Sequence, residues 1–161
     1  MIDVGCAGIL VADTICGPMT SIPAAGQLLV IEDIKSTVGG CAANVASGLA
    51  KQEMAVGVSG CVGNDHGAKI VLGELQTRGV DCSQVKPVEE LATSQTSILL
   101  VKGEDRRFIH VFGANRAFAV ELVDREWVAG LKVFYVGGLF AMPNFHCEQL
   151  AELLRFCQSR G

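Results

Sequence analysis

Charge is scarce in this chain: 19% of its 161 residues are charged, against roughly a quarter in an ordinary soluble domain. Thirteen Lys and Arg face seventeen Asp and Glu, a net charge of −4. No basic cluster stands out, which excludes a nucleic-acid surface, and no Lys/Arg-rich amphipathic segment suggests a membrane surface. The seven cysteines form no Cys-x-x-Cys pair and are odd in number, so reduced, small core thiols are expected rather than disulfides or a zinc site. The three histidines, 66, 110 and 146, lack metal-ligand spacing. No apolar run is long enough to cross a bilayer, because Asp13, Glu32, Asp33 and Lys35 interrupt the early ones. Asp3 stands where a signal peptide would carry basic residues, so a cytoplasmic location is the default expectation. The nineteen glycines follow no period, which excludes collagen-like and low-complexity architectures.

What is present is a globular composition. Half the residues are hydrophobic, and the length suffices for one domain with a real core. Residues 2–11 read as a nearly continuous apolar strand buried on both faces, broken by Asp13, Gly17, Pro18 and Pro23. Residues 26–38 alternate like a less buried antiparallel strand. A helix of small residues is predicted over 41–51 and a second apolar strand over 56–62. Asp65 is placed to cap a helix running to about Thr77, with Gly79 as its C′ residue. Strand and helix therefore alternate through the first eighty residues, which argues for βαβ units and a parallel sheet. Residues 97–101 and 107–112 flank a polar loop and predict a β-hairpin. Residues 132–136 predict another buried strand, and Pro143 and Asn144 are expected to open a final helix. The fold class is α/β.

Three motifs carry chemistry. Gly39-Gly40-Cys41-Ala42-Ala43-Asn44 places two glycines before a helix of small residues, so that backbone N–H groups and the positive end of the helix dipole can meet a ligand. Asp13 is read at the end of the first strand, in the crevice where open α/β sheets bind ligands. Gly63-Asn64-Asp65-His66-Gly67 follows the next strand. Taken together, these resemble the amino-terminal half of the ribokinase-like (PfkB) carbohydrate kinases. Relative to Asn44 and Ala46, that family's signature expects Gly or Ser and then Gly; Gly63 fills the second place, but Glu53 occupies the first. The departure is expected to change how the helix ends rather than the site.

The resemblance implies a ribokinase-like three-layer αβα fold, with a central, largely parallel sheet and a small antiparallel β lid. Residues 1–161 would form the amino-terminal part of one such domain, with lid strands over about 14–38 and 93–113. Such a kinase transfers phosphate from ATP, with Mg²⁺ and in some members a monovalent cation, to a hydroxyl of a small sugar or polyol. Its catalytic aspartate lies in a Gly-Ala-Gly-Asp element that this sequence lacks. No catalytic or cofactor-binding residue is therefore assigned here, and neither cofactor is expected on the chain alone. The end at Gly161 falls where the next strand of a βαβ unit is expected, so the chain is expected to be truncated and inactive by itself.

Substrate-binding roles fall on Asp13, which can accept from vicinal hydroxyls; on Gly39 and Gly40, whose backbone can approach a sugar; and on Asn44, both donor and acceptor. Strand alternation puts Phe108, His110 and Phe112 on one face, and the resemblance sets His110 against the sugar and Gly138 near the acceptor. Phe108, Phe112 and the apolar residues 28–31 are candidates for a lid face or a homodimer contact. The alternative function is a non-catalytic sugar-binding or regulatory module of the same fold. A dinucleotide-binding domain is disfavoured, because the turn after the first strand lacks Gly-x-Gly-x-x-Gly.

Overall fold

A computed structural model describes residues 2–160; Met1 and Gly161, the ends of the expected unit, lie outside the described residues. Eight strands form two four-stranded sheets. The first contains β1 (Val4–Gly8), β4 (Val56–Gly63), β5 (Asp81–Val88) and β8 (Val133–Gly137), in the order β5-β4-β1-β8. All its pairings are parallel. Every residue of β1 and β4 is buried, because helices cover both faces of the sheet and leave no wet side to encode.

On one face lie α1 (Cys41–Ala50) and α2 (His66–Thr77). Ala42, Ala43 and Ala46 of α1 are fully buried against Cys6, Val56 and Val58, and Val71 and Leu75 of α2 join them. Small side chains on α1 let its backbone lie close to the sheet, while burying Val71 and Leu75 stabilises the layer by roughly 2 kcal/mol each. On the other face, α3 (Arg125–Ala129) and α4 (Cys147–Arg160) pack with Phe118, Val123 and Phe145 over Ala7 and Cys61. The alternation of Cys6 and Ala7 between the two cores is the period-2 pattern of a strand.

The second sheet contains β2 (Val11–Met19), β3 (Ile34–Gly39), β6 (Gln95–Val101) and β7 (Arg107–Val111), in the order β3-β2-β6-β7. Its outer pairs are antiparallel and the central β2–β6 pair is parallel. The sheet stands off the end of β1 and α1, and one of its faces looks onto the start of α1.

Several local expectations need correction. The apolar run over 2–11 is not one strand: it divides at Ile9 and Leu10, and Asp13 lies inside β2 rather than at a strand end. The division is made by Asn115, whose side-chain oxygen accepts from Leu10 N (3.1 Å) and whose Nδ2 donates to Leu10 O (3.0 Å). A side chain thereby replaces a ladder partner and lets the chain leave one sheet for the other. Only residues 34–39 of the 26–38 segment form a strand, because residues 28–31 find no partner; Leu28 is 91% and Val30 83% exposed. Pro18 does not end β2, which continues to Met19 across a register shift. The last helix begins at Cys147, and Asn144 instead donates to Arg116 O at 2.8 Å. Strand β5 is an addition, a polar edge strand in which Pro87 is tolerated because it has a neighbour on one side only.

Candidate functional site

The helix entry comes first. Gly40 is the N-cap of α1, at φ 96° and ψ 148°, and no side chain caps that end. The first-turn N–H groups are thus left to a ligand or solvent at the positive end of the helix dipole. Glycine is required at both positions of the pair. A Cβ on Gly40 would meet the Ile9 carbonyl, and one on Gly39 would overlap the Asp13 carboxylate. Asn44 follows one turn into α1, exposed, with its backbone N–H on Gly40 O at 2.9 Å.

The second sheet supplies the opposing wall. Asp13 on β2 pairs directly with Thr96 on β6, and Thr96 pairs with His110 on β7. Directly opposed residues present their side chains on the same face, so these three form a polar row across the sheet. Thr96 Oγ1 lies 2.9 Å from His110 Nδ1. Burial pushes the Asp13 carboxyl above its ordinary value, opposed by the adjacent Thr96 side chain and by the nearby His110.

Between helix entry and sheet lies an open depression of about 220 Å³, lined by Asp13, Gly40, Asn44, Thr96 and His110 with apolar Ile9, Val11, Ile98 and Phe108. Of the candidate residues, Asp13, Gly40, Asn44 and His110 are therefore brought together. Gly39 contributes by leaving room for the Asp13 carboxylate. Gly138, at φ 84° after β8, lines an adjoining depression of about 480 Å³ that shares Ile9 and Cys41 with the first. Thr96 escaped the sequence reading because the hairpin strand was expected to begin at residue 97; β6 begins at Gln95. Extending the alternation of Ile98 by one step would have found it.

The Asn64-Asp65-His66-Gly67 turn is architectural. The Asp65 carboxylate accepts from Ala68 N (2.9 Å), Thr93 N (2.8 Å) and Thr93 Oγ1 (2.7 Å), which ties the start of α2 to the connecting segment just before β6. Burial alone would raise its pKa, but these hydrogen bonds outweigh it and hold the carboxyl below its usual range.

A polyol needs both acceptors and donors, and this depression offers a carboxylate and an imidazole opposite uncapped amides. The family model described as pfkB family carbohydrate kinase matches residues 1–161. The chain belongs to the PfkB carbohydrate kinase family. Among PfkB relatives it is 31% identical over 105 residues to an ATP-dependent ribose-1-phosphate kinase of Halopiger xanaduensis, covering 65% of this chain and 36% of that protein. It is also 31% identical over 93 residues to a ribokinase of Bacillus subtilis, covering 58% of this chain and 31% of that protein. A PfkB protein from Polaromonas sp. JS666 superposes with a TM-score of 0.83 at 20% identity, over 100% of this chain and 53% of that one. The chain thus spans about a third of the length of these curated PfkB relatives and about half of that solved structure.

Glu53, where the PfkB signature carries Gly or Ser, has φ 61° in the turn after α1. The backbone there keeps the left-handed conformation that favours glycine, even though the residue does not.

Proposed function

We propose that this chain is the acceptor-binding half of an ATP-dependent kinase that phosphorylates a hydroxyl of a small sugar. The observation that carries the reading is the convergence of Asp13, Gly40, Asn44 and His110 on one depression. Asp13 accepts from two hydroxyls of the acceptor, the first-turn amides of α1 donate to its oxygens, and Asn44 can do either. The second sheet acts as the lid over this face. Holding the acceptor in one orientation is the contribution of this half, and such positioning is worth up to several kcal/mol of barrier.

Among the described residues no three His, Cys, Asp or Glu side chains converge to hold a metal. Phosphoryl transfer from ATP, and the catalytic aspartate, belong to the remainder of the kinase. The exposed apolar residues of β7, Phe108, Ile109 and Val111, support contact between the lids of two copies, which sedimentation velocity would register as a dimer.

Isothermal titration with D-ribose tests the reading. Saturable binding is expected, weakened about 10- to 100-fold in D13N, because hydrogen bonds to a charged group contribute about 1.5–3 kcal/mol. Absence of binding, or D13N binding as tightly as the wild type, overturns it. Incubation of this chain with ATP and D-ribose is expected to form no ADP above the ATP blank; turnover would refute the assignment of catalysis to the remainder.

A further inference from the structure

We infer that Glu74 and Arg78 are positioning residues that set the spacing between the two walls of this pocket, although neither side chain lines it. The role deepens the sugar-binding reading and rests on it only for the ligand whose affinity reports the spacing. The sheet wall is reached through Thr37. On β3 it stands directly opposite Asp13, so the two side chains share a face, and its Oγ1 donates to Glu74 Oε2 of α2 at 3.0 Å. The helix wall is reached through Ser47 of α1, which is 5% exposed and whose Oγ accepts from Arg78 Nη1 at 3.0 Å. Arg78 Nη2 completes the chain by donating to the same Glu74 oxygen.

The polarity of these bonds follows from the groups themselves. An ionised carboxylate only accepts and a guanidinium only donates, so Glu74 takes the Thr37 proton and Arg78 supplies Ser47. Arginine suits the link because its terminal nitrogens reach two partners at once from one rigid plane, which a lysine ammonium does not match. The Glu74 and Arg78 side chains are 31% and 30% exposed, and a pair so open to solvent adds little to stability. What it supplies is geometry.

Tolerance is small where the link acts. Gly39, two residues beyond Thr37 and on the same face of β3, lies so close to Asp13 that a Cβ there would overlap the carboxylate. The next residue, Gly40, opens α1. A shift of β3 against α2 thus moves the Asp13 carboxylate relative to the helix amides that face it. Polar sites lose affinity once their groups are displaced by about half an ångström.

The test pairs amide NMR with calorimetry on E74A, R78K, T37V and T37S. In the free protein, E74A and R78K are expected to shift the Asp13 and Gly40 amide signals, while melting temperatures stay within roughly 3 °C of the wild type. D-Ribose affinity is expected to fall about three- to tenfold in E74A, R78K and T37V. T37S keeps the hydroxyl and should bind as the wild type. The E74A/T37V double variant should bind no more weakly than either single variant, because both break the same link. Unmoved Asp13 and Gly40 amides in E74A, or E74A binding ribose as tightly as the wild type, overturns the inference. Additive losses in the double variant, or a larger fall in melting temperature that accounts for the lost affinity, also overturn it. Should the wild type bind no ribose, the sugar-binding reading falls, while the amide shifts still decide whether the pair sets the spacing.

Discussion

Replacement of Asn115 by alanine should be among the most damaging single changes in this chain, though the residue belongs to no regular strand or α-helix. Its side chain is 1% exposed and makes two hydrogen bonds, both to the backbone of Leu10 across more than a hundred residues of sequence. Removing the amide deletes two bonds worth about 1 kcal/mol each and strands a buried N–H and C=O, at about 1–3 kcal/mol apiece. Those figures overlap rather than add in full, so a loss of about 3–5 kcal/mol is expected. For a chain of this size that lowers the melting temperature by roughly 8–16 °C. Urea unfolding is followed conveniently by the single tryptophan, Trp127, which packs beside Gly5 and Gly57 under the main sheet. The midpoint should fall with the slope unchanged. N115D should also be destabilised, because its second oxygen would face the Leu10 carbonyl. A loss below about 1 kcal/mol in N115A would refute the claim that this clamp holds the chain between the two sheets.

Three other outcomes are expected. D65A should lose about 2 kcal/mol near neutral pH from the missing cap and the freed Thr93 amide. Because the folded carboxyl titrates below its unfolded value, this stability is present above the ordinary carboxylate range and lost as pH falls through the folded pKa, so wild type and D65A should converge in acid unfolding curves. G39A should abolish D-ribose binding in calorimetry, because its methyl group overlaps the Asp13 carboxylate; unchanged affinity would show that Asp13 does not need its present position. E53G should raise the melting temperature by roughly 1–4 °C, through relief of about 0.5–1 kcal/mol of left-handed strain net of glycine's entropy.

The parts of the fold governed by local chemistry were legible in the sequence. Asp65 caps α2 and Gly79 follows it at φ 82°, because capping and left-handed turns depend on one or two residues. Asp13, Gly40, Asn44 and His110, to which family resemblance and strand alternation point, line one depression. What escaped depended on distant partners. Hydropathy over residues 2–11 is continuous because both strands end in buried interiors, and only Asn115, far along the chain, divides them. Residues 28–31 alternate like a strand yet have no neighbouring strand to complete one. Thr96 was missed by a boundary shift of two residues, which is enough to hide the centre of a polar row.

The backbone passes between the two sheets at four places, from β1 to β2, β3 to α1, β5 to β6 and β7 to the turn at Gly113–Ala117. The second sheet is therefore woven into its host, with no single tether to sever. Limited proteolysis at any one junction cannot shed it, and recombination cannot graft it onto another protein as one contiguous cassette. Its strands must be inherited together with the layers they thread through.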